Sequence, residues 1–197
     1  MNKNSTKRTT TSKKPIDIYI AKQYEDNDEV NIPNREINFS VDVEDYTIDT
    51  LLAHINKFQE MDAKKPVTIL FNSPGGEVTA CFKYYDLIRR YPFKVNSFIT
   101  GVAMSAATVM SIGTTGKRTI SKNSAMMIHE VSSWPMGTLS KLKTRVKFSE
   151  QLQDRIIDIY IAHTKLKSKA EWEKIMATET YYTPAEALKL GLVDEIV

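Results

Sequence analysis

The sequence is poor in cysteine and histidine, and it has no long apolar run. Of its 197 residues one is cysteine and three are histidine, and no apolar stretch approaches the ~18 residues of a membrane-spanning helix. The single Cys81 excludes an internal disulfide and is typical of a reducing compartment, so we expect a cytoplasmic location. The histidines and the cysteine lack metal-ligand spacing, and the nucleotide-binding pattern G-x-x-x-x-G-K-S/T is missing, so we expect this chain to bind neither a metal nor ATP.

Positive charge is concentrated near the N-terminus. The formal charge of the chain is +3, but residues 1–14 contribute +5 and no acidic residue, so the remainder carries −2. These residues have no apolar anchor, so we predict a disordered basic tail over residues 1–14 and a single domain over residues 15–197. We expect no secretory signal, whereas organellar targeting by the basic tail stays open. No aromatic residue is interleaved with the charges, so we expect no nucleic-acid partner.

Apolar strand patterns alternate with helical patterns along the chain. Strands are predicted at residues 16–20, 36–41, 67–71, 95–100 and 126–128. Helices are predicted at residues 45–61, 77–90, 106–112, 139–165, 170–176 and 183–190. The repeated β-then-α order indicates an α/β layered domain with a largely parallel core.

The predicted helix at residues 139–165 is unusually long. Its apolar positions recur at three- and four-residue spacing: Leu142, Val146, Leu152, Ile156, Ile159 and Tyr160. At 1.5 Å per residue the helix would be about 40 Å long, which is more than a domain of this size needs for its own core. We therefore predict that part of the apolar stripe contacts another subunit. The alternative is an ordinary helix that is broken once.

Three short segments carry the candidate chemistry. Asn-Ser-Pro-Gly-Gly at residues 72–76 follows one predicted strand, Ser105 follows the next in Gly-Val-Ala-Met-Ser-Ala, and His129 follows a third. A serine hydroxyl, a nearby imidazole and freely aimed backbone amides are the parts of an acyl-transfer site. Taken singly, Ser105 could be a helix cap or a small packing residue, and His129 could be structural.

The other two histidines have simpler interpretations. His54 falls on the polar side of the first predicted helix. His163 lies near the C-terminal end of the long helix, where a positive charge is favourable. Only His129 is placed at the edge of the predicted core sheet, so it is the candidate general base.

In order and spacing these segments resemble the Clp protease proteolytic subunit family (ClpP, caseinolytic serine peptidases). The resemblance spans roughly residues 36–197 and is carried by residues 72–76, 85–86, 101–106, 116–118, 127–129, 183–187 and 191–194. It implies the ClpP/crotonase-type fold, with the long helix as a protruding handle. It also implies that Ser105 is the nucleophile, His129 the general base, and Gly76 and Ala106 the donors of the oxyanion hole.

The resemblance further implies the third member of a catalytic triad. The family has an aspartate twelve residues before the glycine of its C-terminal Gly-Leu-Val-Asp, and Glu179 stands twelve residues before Gly191 here. A glutamate can orient an imidazole as an aspartate does. The Glu-Thr-aromatic context of Glu179 and the start Ser105-Ala-Ala-Thr look like bacteriophage-type members, which include head-maturation proteases.

The resemblance implies a serine endopeptidase that hydrolyses unfolded polypeptides through an acyl-enzyme. Family members stack as two heptameric rings, a tetradecamer, and an AAA+ unfoldase partner hydrolyses the ATP. Residues 1–35 do not match the axial loops of the family. Trp134 and Met136 could line a substrate groove or a subunit contact, or they could be ordinary packing residues. Three alternatives stay open: a phage-type head-maturation protease without a chaperone, a crotonase-fold acyl-CoA enzyme that uses the same two amides, and an inactive scaffold subunit.

Overall fold

The computed structural model describes residues 30–133 and 136–197. The predicted basic tail, the predicted strand at residues 16–20 and Trp134 lie outside the described residues. Within them the chain forms one mixed sheet whose strands are β1 Val30–Asn31, β2 Glu36–Phe39, β3 Val67–Ser73, β4 Val95–Met104, β5 Arg118–Ile120, β6 Ala125–Ile128, β7 Thr180–Tyr182 and β8 Glu195–Ile196. Six α-helices accompany it: α1 Asp45–Met61, α2 Val78–Leu87, α3 Ala106–Ile112, α4 Leu139–His163, α5 Lys169–Met176 and α6 Pro184–Leu190.

Strand β4 is the centre of the sheet. The main path runs β1-β2-β3-β4-β5-β8, and β6 pairs with β4 and β7. The first half of β4 pairs with β5, whereas its second half, Val102 to Met104, pairs in parallel with β6. Strands β1 and β7 are the antiparallel ones. Because β4 and β6 are parallel neighbours, the residues that follow their carboxyl ends, Ser105 and His129, lie at the same edge of the sheet.

Most element bounds agree with the sequence prediction. Helices α1 and α3 begin and end at the predicted residues, and the predicted helix at 77–90 is α2 followed by a 3-10 turn, Ile88–Arg90. Helix α3 is buried on every side, and its small residues Ala106 and Ala107 let it approach the sheet closely. Two three-residue strands, β5 and β7, were not predicted, because three residues are too few to show a period.

Helix α4 is continuous over Leu139–His163, so the alternative of a broken helix is wrong. Its C-terminal half packs on the domain through buried side chains, and Tyr160 stacks on Trp172 with 4.5 Å between ring centroids. Its N-terminal half leaves large apolar side chains uncovered, with Leu139 69% exposed and Val146 50% exposed. The predicted apolar stripe is therefore covered by this subunit over only half its length.

Two histidine expectations were wrong. His54 lies on the buried face of α1 and is 9% exposed, because α1 packs on the sheet along that side as well. At His163, Nε2 lies 2.8 Å from the phenol oxygen of Tyr85 and 3.1 Å from a guanidinium nitrogen of Arg89. Burial, together with the positive charges of Arg89 and Arg118, lowers the pKa of His163. The neutral ring that accepts these hydrogen bonds is favoured over the expected cation.

Candidate active site

Ser105 occupies a strained turn between β4 and α3. Its φ of 53° and ψ of −123° are rarely adopted by a residue other than glycine, and such strain is concentrated at functional sites. The turn is held by two anchors to neighbouring strands. The Ser105 amide donates to the Met127 carbonyl at 2.9 Å, and the Thr108 hydroxyl lies 2.6 Å from the Ala103 carbonyl oxygen and 2.8 Å from that of Met127. These bonds fix where the Ser105 side chain points.

The imidazole of His129 meets the Ser105 hydroxyl. Met104 of β4 pairs with Met127 of β6, so Ser105 lies one residue beyond this pair and His129 lies two residues beyond it. His129 Nε2 lies 2.7 Å from Ser105 Oγ, within the reach of direct proton transfer. The structure thus brings together the candidate nucleophile and the candidate base that the sequence indicated.

The turn at residues 72–76 closes against Ser105 from the β3 side. The buried Ser73 hydroxyl donates to the Val41 carbonyl at 2.6 Å and accepts from the Gly75 amide at 3.2 Å. Gly75 has a φ of 100°, and a Cβ built on it would lie 2.8 Å from the Ser105 Cβ. A side chain at this position would therefore collide with the nucleophile, which explains the glycine.

Two backbone amides beside the serine are available as donors. Within the described residues, neither the Gly76 amide nor the Ala106 amide donates to another protein group. Ala106 opens α3, whose first amides have no intrahelical acceptor. Both residues line a small cavity of about 40 Å³ together with Ser105, His129 and Val78. Their placement fits the predicted oxyanion hole.

A larger groove continues from this cavity. It encloses about 530 Å³ and shares Gly76, Val78, Val131 and Ser132 with the cavity beside Ser105. Helix α4 contributes Phe148 and Leu152 to the groove wall. The groove is large enough for several side chains of an extended peptide that passes the nucleophile.

Glu179 lies next to the pair, but its hydrogen bond goes elsewhere. Strand β7 runs antiparallel to β6, and the last pair of their ladder is Ile128 opposite Thr180, so His129 directly follows this pair on one chain segment and Glu179 directly precedes it on the other. The Glu179 carboxylate oxygen Oε1 accepts from the phenol of Tyr181 at 2.5 Å. The structure therefore brings Glu179 to the neighbourhood of His129 and engages its carboxylate with Tyr181.

Several supporting residues were not found from the sequence. The hydroxyls of Ser73 and Thr108 anchor the two turns that form the site, and Tyr181 holds Glu179. For Thr108 the only local signal of a supporting role was its position, three residues after Ser105 on a short helix of mostly apolar residues. Tyr181 had no such signal, because its contact with Glu179 requires residues 179–181 to be extended and β7 was not predicted.

The remaining titratable and metal-ligating groups offer no second site. In residues 30–133 and 136–197 no group of three or more His, Cys, Asp or Glu residues could hold a metal ion. The buried Cys81 thiol donates to the Ala106 carbonyl at 3.4 Å, and burial raises its pKa. The described helices include none that is long and apolar enough to cross a membrane.

A Ser–His pair on a strained strand-to-helix turn of an α/β sheet, with free amides beside it, is the arrangement of a serine hydrolase. A family model for the Clp protease matches residues 12–197, so the chain belongs to the Clp protease family. The predicted family, fold and enzyme class are confirmed, and this assignment favours the peptidase over the acyl-CoA alternative.

Curated relatives agree with the family assignment. The chain is 30% identical over 167 residues to the ATP-dependent Clp protease proteolytic subunit of Deinococcus radiodurans. The matched region is 84% of this chain and 81% of that protein. The protein of the same name from Bacteroides thetaiotaomicron is 30% identical over 168 residues, which are 83% of this chain and 74% of that protein. The one from Bacteroides fragilis is 29% identical over 168 residues, which are 83% of this chain and 79% of that protein.

Proposed function

We propose that the chain is the proteolytic subunit of an ATP-dependent Clp-type protease, an endopeptidase that cuts unfolded polypeptides through an acyl-enzyme on Ser105. The observation that carries this proposal is the 2.7 Å approach of His129 Nε2 to Ser105 Oγ at the mouth of a peptide-sized groove. The curated relatives carry ATP dependence in their names. The residues around the serine supply each step of the chemistry.

His129 takes the proton from Ser105 Oγ as the oxygen attacks the scissile carbonyl carbon. The carbonyl oxygen becomes an oxyanion, and the amides of Gly76 and Ala106 donate to it. The loss of one such donor typically costs about 10²–10³ in rate. The protonated His129 then gives its proton to the leaving amine, and water enters by the same route to hydrolyse the ester. These steps require no metal and no cofactor, because the two side chains and the two amides supply the proton transfers and the oxyanion donors. ATP would be used only by the partner unfoldase.

The uncovered half of α4 supports the proposed assembly into two stacked heptameric rings. Charge is distributed unevenly along the whole of α4. Basic residues come first and mostly acidic residues follow: Lys141, Lys143, Arg145 and Lys147, then Glu150, Asp154 and Asp158. Positive charge near a helix N-terminus is unfavourable because that end of the helix dipole is also positive. An acidic partner from outside the subunit would therefore stabilise the basic half of α4. A second copy of α4 packed antiparallel would offer its acidic half to the basic half and cover the apolar stripe.

The partner proposal is tested with an AAA+ unfoldase from the same source. We expect degradation of a folded, tagged substrate only when the unfoldase and ATP are both present, because the ring admits only unfolded chains. The control replaces ATP by a non-hydrolysable analogue. Site-specific cutting of a protein substrate that the unfoldase does not accelerate would contradict the proposal and favour the head-maturation alternative.

The role of Glu179 is tested by Glu179→Gln. We expect a normal fold and a fall in kcat of about 10²–10⁴, because the imidazolium formed at His129 loses its compensating charge. Glu179→Asp should keep part of the activity, since it preserves the charge. The matched control is Glu173→Gln, an exposed acid on α5. Parental kcat in Glu179→Gln would show that the enzyme works with the Ser105–His129 dyad alone.

A further inference from the structure

Strand pairing places four side chains on one face at the edge of the active site. In the antiparallel ladder of β6 and β7, Met127 is opposite Tyr181 and Ile128 is opposite Thr180, and His129 and Glu179 are the next residues beyond this last pair. Side chains alternate between the two faces of a strand, so Glu179 and Tyr181 share a face with each other and with His129. Residues directly opposite have Cβ atoms about 4.5–5.5 Å apart. The Glu179 side chain therefore has two partners within reach, one across the ladder and one along its own strand.

The structure shows which partner holds the carboxylate in the free subunit. The Tyr181 phenol oxygen lies 2.5 Å from Glu179 Oε1, a short bond of the charge-assisted kind. This bond raises the pKa of Tyr181, so the phenol keeps its proton and remains a donor near neutral pH. Tyr181 is 56% exposed, so its ring is not held in place by a packed core.

We propose that Tyr181 is a positioning residue that competes with His129 for the Glu179 carboxylate. This inference rests on the proposed role of Glu179 as the third triad member. While the carboxylate is on Tyr181, Ser105 and His129 act as a dyad; when it moves to the imidazole, the triad is complete. The extra methylene of glutamate over aspartate supplies the reach that both positions require.

Competition has a defined kinetic consequence. Only the fraction of subunits with Glu179 on His129 is fully competent, so Tyr181 reduces the observed kcat to about that fraction of its full value. The groove proposed for the substrate is lined by Val78, Phe148 and Leu152 and by neither Glu179 nor Tyr181, so the position of the carboxylate should leave substrate binding unchanged. Tyr181 therefore acts on kcat and leaves KM unchanged.

The test is Tyr181→Phe, which removes one hydroxyl from a half-exposed ring, assayed on a short fluorogenic peptide. We expect kcat to rise about three- to tenfold, the range set by one hydrogen bond, with KM unchanged. The matched control is Tyr182→Phe, since Tyr182 is the next residue and points to the opposite face. An unchanged or reduced kcat in Tyr181→Phe would overturn the proposal.

A double variant separates competition from a general effect on the fold. In Tyr181→Phe combined with Glu179→Gln, we expect the kcat of Glu179→Gln alone, because the residue for which Tyr181 competes is gone. A gain that persists in the double variant would also overturn the proposal. Failure of the proposed catalytic assignment looks different, since it would appear as cleavage by Ser105→Ala whatever residue stands at position 181.

Discussion

Replacement of Ser105 by alanine is expected to abolish peptide cleavage, with a fall in kcat of about 10⁴ or more, and to leave the fold intact. Loss of the nucleophile removes the acyl-enzyme route and leaves only what binding and the oxyanion donors supply. The backbone of the turn is anchored by the Ser105 amide and by Thr108, and neither contact uses the Ser105 side chain. An alanine should therefore adopt the same turn.

The assignment is measured by fluorophosphonate labelling followed by peptide mass spectrometry. Ser105 should carry the label in the parent protein, and Ser105→Ala should not be labelled. Ser132→Ala is the matched control, because Ser132 lines the same cavity without contacting His129. Labelling at another serine, or cleavage by Ser105→Ala at the parental rate, would show that the nucleophile lies elsewhere.

The second large effect is expected from Val146→Glu on the protruding half of α4. Val146 is 50% exposed in the single subunit, so the glutamate costs little there. In a stacked pair of rings the same position would be covered, and an unpaired buried charge costs about 3–5 kcal/mol. We expect single rings or monomers with little activity, although Ser105 and His129 are unaltered.

Sedimentation velocity and peptide cleavage measure this effect together. Thr144→Glu is the matched control: it introduces the same charge two residues away, and at 3.6 residues per turn it lies on nearly the opposite side of α4. A control variant that assembles and cleaves normally would assign the loss to the stripe of Val146. A fully active monomer at working concentration would contradict the ring proposal and favour the head-maturation alternative.

Agreement between sequence and structure was best where a signal is local. The bounds of α1 and α3 follow from apolar periodicity and from small residues, and they were predicted to the residue. The closeness of Ser105 and His129 could also be predicted, because parallel strands end at one edge of a sheet and each residue directly follows its strand. The order of β and α patterns was enough to place both residues at that edge.

Agreement was poorest where a side chain's state depends on distant neighbours. His163 was expected to be a favourable cation at a helix end, but burial and two arginines from other elements lower its pKa. His54 was assigned to solvent from helix periodicity, yet α1 packs on that side too. In both cases the deciding contacts come from residues far away in the chain.

By itself the sequence determined the family and the α/β class and indicated the candidate nucleophile, the candidate base and the candidate amides, because these depend on short motifs and on strand order. Only the tertiary structure decided how Ser105 and His129 meet at 2.7 Å, how much of α4 stays uncovered, and where the Glu179 carboxylate binds. The last contact joins residues two apart at the start of β7, a three-residue strand with no sequence signal. Side chains two residues apart share a face only where the chain is extended, so the Glu179–Tyr181 contact could not be predicted before this short strand was known.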